Sequence, residues 1–138
     1  MKRSYLFPRA LLGGVAAGLA TAVLAWGFDL VMDMIGISFV PFGFAGHLVV
    51  GGFVNLLGII PLYLLGRFMQ QPVPAYFTLV FVAAVAVSVL VSVAPPYATF
   101  YPYVAVPGIL VTALASAGVA TQIAYRNFGP EAPEVPVA

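Results

Sequence analysis

Cysteine is absent from this chain and charge is nearly so: 138 residues carry five basic and four acidic side chains, 7% in all, and one histidine. The lack of cysteine excludes disulfides, thiolate metal sites and thiol nucleophiles, and leaves the redox compartment open. The lack of charge excludes a surface covered by water, because a soluble domain places about a quarter of its residues in Asp, Glu, Lys and Arg. A net charge of +1 offers none of the dense basic patch that nucleic-acid binding requires. Lysine occurs only at Lys2, and the single histidine, His47, belongs to no HxxxH or HExxH pattern. No glycine-rich phosphate loop and no nucleophile elbow follows a strand. The glycines of "LGGVAAG" lie inside an apolar run, where close packing accounts for them. The sequence therefore points to a protein that is not an enzyme, with no catalytic residue, no cofactor and no metal site.

What is present is apolar: 63% hydrophobic residues and a mean hydropathy of +1.11. Such a chain needs the lipid bilayer as its solvent. Its charges punctuate it. Residues 10–28 and 68–125 carry none, and between Asp33 and Arg67 there is only His47. A spanning helix needs about 20 apolar residues, so the long last run holds two spans and the chain holds four. The expected fold is an all-α membrane protein, a bundle of four transmembrane helices at about residues 9–34, 44–68, 74–94 and 103–126. Residues 1–8 precede the bundle and a Pro-rich tail, 127–138, follows it.

Proline marks much of this. Pro72 and Pro74 separate the second and third helices, and Pro74 suits a first helical turn, where a missing N–H goes unnoticed. Pro95-Pro96 stops the third helix. Pro102 opens the fourth, and Pro107 is close enough to its start to be tolerated. Pro61 falls inside the second helix, where it deprives the Leu57 carbonyl of its donor and predicts a kink.

Lys2, Arg3, Arg9, Arg67 and Arg126 all fall on one side of a four-span chain, so the positive-inside rule places both termini in the cytoplasm of a bacterial inner membrane. Glu131 and Glu134 in the tail count little in that rule. The opposite side receives the loops "SFVPFGF" and "PPYATFYPY". In the second, Tyr97, Phe100, Tyr101 and Tyr103 read as an aromatic belt at the headgroups rather than as a quinone or sterol contact. The segment "MKRSYLFPRALLGGVAAGLATA" loosely resembles a signal peptide, but its apolar run continues to residue 28, beyond a signal core of about 7–15 residues. Each half of the chain is a hairpin ending in arginine near phenylalanine, "LGRFMQQP" and "YRNFGPEAP", which fits either an old duplication or what any hairpin needs at its ends.

Small residues mark where helices approach in lipid. In the first helix Gly14, Gly18, Thr21, Ala25 and Asp29 share one sector; in the second, His47, Gly51, Asn55 and Gly58 do so. The third aligns Ala84, Ser88 and Ser92. The fourth aligns Gly108, Thr112, Ala115 and Val119, with Gln122 nearby. From a midpoint at Ala22, Asp33 lies ~16 Å out, at the headgroups, whereas Asp29 lies ~10 Å out, within the hydrocarbon. A carboxylate at that depth must face the bundle with a partner or be protonated. His47 reaches a similar depth, so Asp29 and His47 form the candidate intramembrane pair, with Asn55, Ser88, Thr112 and Gln122 as secondary polar contacts between helices. Asp29, Asp33 and His47 together offer three metal ligands, which nothing else in the chain supports. A structural tie leads over a proton or ion path, because a relay also needs a titratable group in the other leaflet.

"GISFVP", "LLGRFMQQP" and "SVAPPYAT" resemble segments of an uncharacterised family of small four-span bacterial membrane proteins. The resemblance spans about residues 9–126 and implies the same four-span topology. It implies no activity, since no binding or catalytic residue is established for that family. Gln70-Gln71 stand where its members usually carry basic residues, and His47 is not one of their features. The function expected from the sequence is that of an accessory or self-associating bundle, in a homo-oligomer or a larger membrane complex. The alternative is a small ion, proton or solute transporter using Asp29, His47 and Asn55. Reporter fusions after Ser4, Gln71 and Phe128 should read cytoplasmic and one after Thr99 external; a cytoplasmic signal at Thr99 would end the four-span arrangement.

Overall fold

The computed structural model describes residues 5–36, 44–93 and 102–126. They form four α-helices and, among the described residues, no strand: α1 Leu6–Met34, α2 Phe44–Phe68, α3 Pro72–Val93 and α4 Pro102–Ala124. Each contains a stretch long and apolar enough to cross a membrane. The Pro95-Pro96 stop, the aromatic belt around Tyr97, Lys2, Arg3 and the tail 127–138 lie outside the described residues, as do the side chains of Ser92 and Tyr103.

Two helices start earlier than the sequence pattern suggests, and proline explains both. Leu6 opens α1, with Pro8 in the first turn, and Pro72 opens α3, with Pro74 two residues on. Backbone N–H groups in a first turn have no acceptor within the helix, so proline loses nothing there. Pro61, the position of the expected kink, lies inside α2, which runs as one helix from Phe44 to Phe68. At the end of α1 the chain turns at Gly36, whose φ of 84° is the left-handed conformation natural to glycine. Its N–H bonds the Asp33 carbonyl at 3.1 Å, and Ile35 N–H bonds that of Met32 at 3.1 Å.

Consecutive helices run up and down as neighbours around a square. α1 packs intimately against α2 and α4, and α3 packs against α4; α2 and α3 meet only loosely. The close pairs owe their intimacy to glycine. A Cβ at Gly13 would lie 2.7 Å from the Ala120 carbonyl oxygen of α4, and one at Gly18 would lie 3.3 Å from the Cα of Gly52 on α2. A Cβ at Gly14 would run into the Ile59 side chain. The α4 backbone leaves no room for a side chain at Gly13, and the α2 backbone leaves little at Gly18.

The two ends of the bundle differ. Arg9, Arg67 and Arg126 lie at the end where α1 begins and α2 and α4 finish; Asp29 and Asp33 lie at the other. The buried core of Leu6, Ala10, Ala17, Leu62, Tyr76, Ala120 and Tyr125 fills the arginine end. Leu6 and Leu62 are the largest fully buried side chains. The Tyr125 hydroxyl donates to the Leu62 carbonyl, and its ring lies where a Cβ on Gly66 would be 2.7 Å away. Arg9 Nη1 donates to the Arg126 carbonyl at 2.6 Å, joining α1 to the residues just after α4. Toward the aspartate end none of the residues from Val23 to Met34 of α1 is buried, and the square loosens.

Gly13→Leu should cost at least about 2 kcal/mol in detergent unfolding, because the side chain must push α1 off the α4 backbone. Gly27→Ala is the control. Nothing lies within 4 Å of a Cβ there, so stability should hold or rise by up to about 1 kcal/mol through helix propensity.

Candidate functional site

The looser end contains the site. Between the four helices lies a cavity of about 770 Å³, bordered by Thr21, Phe28 and Asp29 of α1 and by His47, Asn55 and Pro61 of α2. Tyr76, Ala84 and Val87 of α3 and Gly108, Thr112 and Ser116 of α4 complete the wall. Its closed end is at Tyr76, whose hydroxyl is 3.0 Å from where a Cβ on Gly58 would sit. α2 and α3 otherwise meet only loosely. Val54 and Leu57 of α2, and Leu79 and Val87 of α3, border the cavity yet remain exposed, at 59%, 55%, 45% and 47%. The cavity therefore opens sideways, through the cleft between α2 and α3.

Its polar groups form two sets. At the aspartate end His47 donates Nε2–H to Oδ2 of Asp29, and both side chains are partly buried, at 19% and 23% exposure. The expected partners are brought together across the α1–α2 contact, within the cavity wall. Asp33, one turn further along α1, is exposed.

The second set lies deeper and centres on Thr21. Its Oγ1 donates to the Ala17 carbonyl at 2.8 Å, an intrahelical bond that uses its only proton. Oγ1 then accepts twice, from Asn55 Nδ2 at 3.0 Å and from the Ser116 hydroxyl at 2.6 Å. The second Asn55 bond goes to the Gly51 carbonyl at 2.7 Å. One hydroxyl thus joins α1, α2 and α4. Closeness makes this possible: a Cβ on Gly51 would lie 2.9 Å from the Thr21 methyl.

The other expected contacts divide. Thr112 is half-buried and borders the cavity. Ser88 is buried and donates to the Ala84 carbonyl of its own helix at 2.8 Å. Gln122 is exposed, as is Ala115, so neither belongs to the inner face of α4. The stripe read as Gly108, Thr112, Ala115 and Val119 takes a different course. In the folded chain it runs Gly108, Thr112, Ser116, Ala120 and Ala124, four residues apart throughout, and the last three are buried. Rows spaced by four incline across a helix surface and are the usual ridges of close packing. Ser116 was therefore missed although its signal, an unbroken run of small residues at intervals of four, is plain. Tyr76 was missed as well; one tyrosine near a helix start carries no pattern to distinguish a cavity wall from an interfacial anchor.

The metal reading finds no support in this geometry. Among the described residues no group of three His, Asp, Glu or Cys side chains comes together, and Asp33 does not join Asp29 and His47 in the cavity. What the site offers is an apolar chamber with one carboxylate–imidazole pair in its wall toward the aspartate end and a hydroxyl–amide network deeper on its inner wall. Compared with protein-family models, with curated proteins and with solved structures, the chain matches none.

Asp29→Asn should leave the melting temperature within a few degrees of the parent, because an amide still accepts from His47. Asp29→Leu should lower it further, because the imidazole then loses its carboxylate acceptor across the α1–α2 contact. Thr21→Val should cost about 1–2 kcal/mol, since it removes two interhelical hydrogen bonds at once, to Asn55 and to Ser116, against an average of ~0.6 for one such bond in a membrane. Equal melting of all three variants would remove both polar sets from the stability of the bundle.

Proposed function

We propose that this chain is a multi-pass protein of the bacterial cytoplasmic membrane, with both termini inside, that binds and moves a small lipid-soluble molecule without transforming it. The cavity open between α2 and α3 carries this reading. About 770 Å³ is in the range of sites for small organic molecules, which are mostly apolar with a few placed polar groups. An opening bordered by Val54, Leu57, Leu79 and Val87 admits such a molecule from the lipid side rather than from water. Membrane insertion is supported by the exposed outer surface, where Phe53, Leu56, Ile60, Val82 and Leu90 stand outward. An apolar exterior of that extent suits lipid and would aggregate in water. The three arginines gathered at one end support the inward orientation of the termini. The resemblance to small four-span bacterial membrane proteins fits the same topology.

The reading departs from the accessory role expected from the small-residue stripes of the sequence, because a subunit that serves only to pack has no need of an open chamber. Equilibrium binding of a tritiated, uncharged aromatic probe to the full chain in lipid nanodiscs tests it. Binding should saturate near one probe per chain and weaken at least tenfold in Ala113→Trp, which fills the cavity from α4, with melting little changed. Non-saturable partition, equal in both proteins, would refute it. Co-purification of a second membrane protein in fixed ratio, with its helix crosslinking to Val54→Cys, would restore the accessory role.

A further inference from the structure

Resting on that reading, we propose that the cavity selects a lipid-soluble organic cation, whose charge pairs with Asp29 while its apolar body fills the chamber. Among the described residues bordering the cavity, Asp29 on α1 is the only acidic group, and none is lysine or arginine. The arginines Arg9, Arg67 and Arg126 belong to the opposite end of the bundle. The other titratable groups facing the chamber are His47 on α2 and Tyr76, on α3 at the closed end; α4 contributes Gly108, Thr112 and Ser116 but none that titrates.

Charge balance decides the ligand. With the imidazole neutral, the pair carries one negative charge in surroundings of low dielectric, where an unneutralised carboxylate is costly and a counter-charge is correspondingly attractive. His47 donates one hydrogen bond to Asp29 but in that state supplies no charge. An anion entering the chamber meets repulsion, and a neutral molecule gains only apolar burial. A cation gains burial and the carboxylate together. Phe28, next to Asp29 on α1, adds a ring to the same wall, and its edge lies 3.0 Å from where a Cβ on Gly108 would sit. Aromatic faces attract organic cations.

The test uses tetraphenylphosphonium, the matched anion tetraphenylborate and uncharged triphenylmethane on the full chain in zwitterionic nanodiscs. The cation should bind at least tenfold more tightly than either of the others. Asp29→Asn should lose that advantage while keeping triphenylmethane affinity within twofold, and Asp33→Asn should change neither. Should Asp29→Asn fail to fold, Asp29→Ser takes its place with the same loss of cation preference expected, and an unchanged preference overturns the proposal. Saturable binding of all three probes with equal affinity would refute cation selection and leave the cavity reading intact. No saturable binding of any probe would remove both.

Discussion

The face of α1 from Gly13 to Thr21 is the constraint on which the remaining structure depends. Helices immersed in hydrocarbon gain little from burying apolar surface, so they associate where backbones can come close enough for dispersion and hydrogen bonds to act. Here α1 does this on two sides at once. Gly14 and Gly18 receive α2, and Gly13 receives the Ala120 carbonyl of α4. Only at that separation can one hydroxyl, that of Thr21, reach Asn55 on one neighbour and Ser116 on the other. The glycines set the distance and the threonine fixes the register.

From that tight spine the asymmetry of the bundle follows. The arginine end is finished by large groups that lock together: Leu6 and Leu62 fully buried, and Tyr125 against Gly66 with its hydroxyl on the Leu62 carbonyl. Among the described residues the aspartate end has no counterpart, and α3, held chiefly by α4, packs only loosely on α2. A cavity forms where packing residues are missing on one edge of a square whose other edges are closed. Its walls are therefore apolar by inheritance, and its few polar groups are those already used to join helices.

Asp29 and His47 stand apart from that economy. A hydrophobic pair of similar volume would fill the same place without the desolvation cost of a carboxylate, and a buried ion pair is weak evidence of stabilisation. The Thr21 set already joins α1 to α2. A carboxylate–imidazole pair in the wall of an apolar chamber fits the proposed binding role better than a purely packing one.

Four helices, their order and the gathering of Arg9, Arg67 and Arg126 at one end follow from the sequence alone, because each span needs a run of about 20 apolar residues and charges must interrupt the runs. The Asp29–His47 pairing was legible for a related reason: two polar groups near facing ends of consecutive antiparallel helices arrive at the same depth. The rest was decided by the tertiary structure. Which small residues on α4 face inward depends on the angle at which it crosses α1, and that angle selects the row through Ser116 and leaves Ala115 and Gln122 exposed. The cavity depends on the looseness of α2 against α3, a property of no single helix, since Val54 and Val87 look no different in sequence from valines that face outward. Local apolarity sets where each helix lies along its own axis; only the packing of four together sets what is left between them.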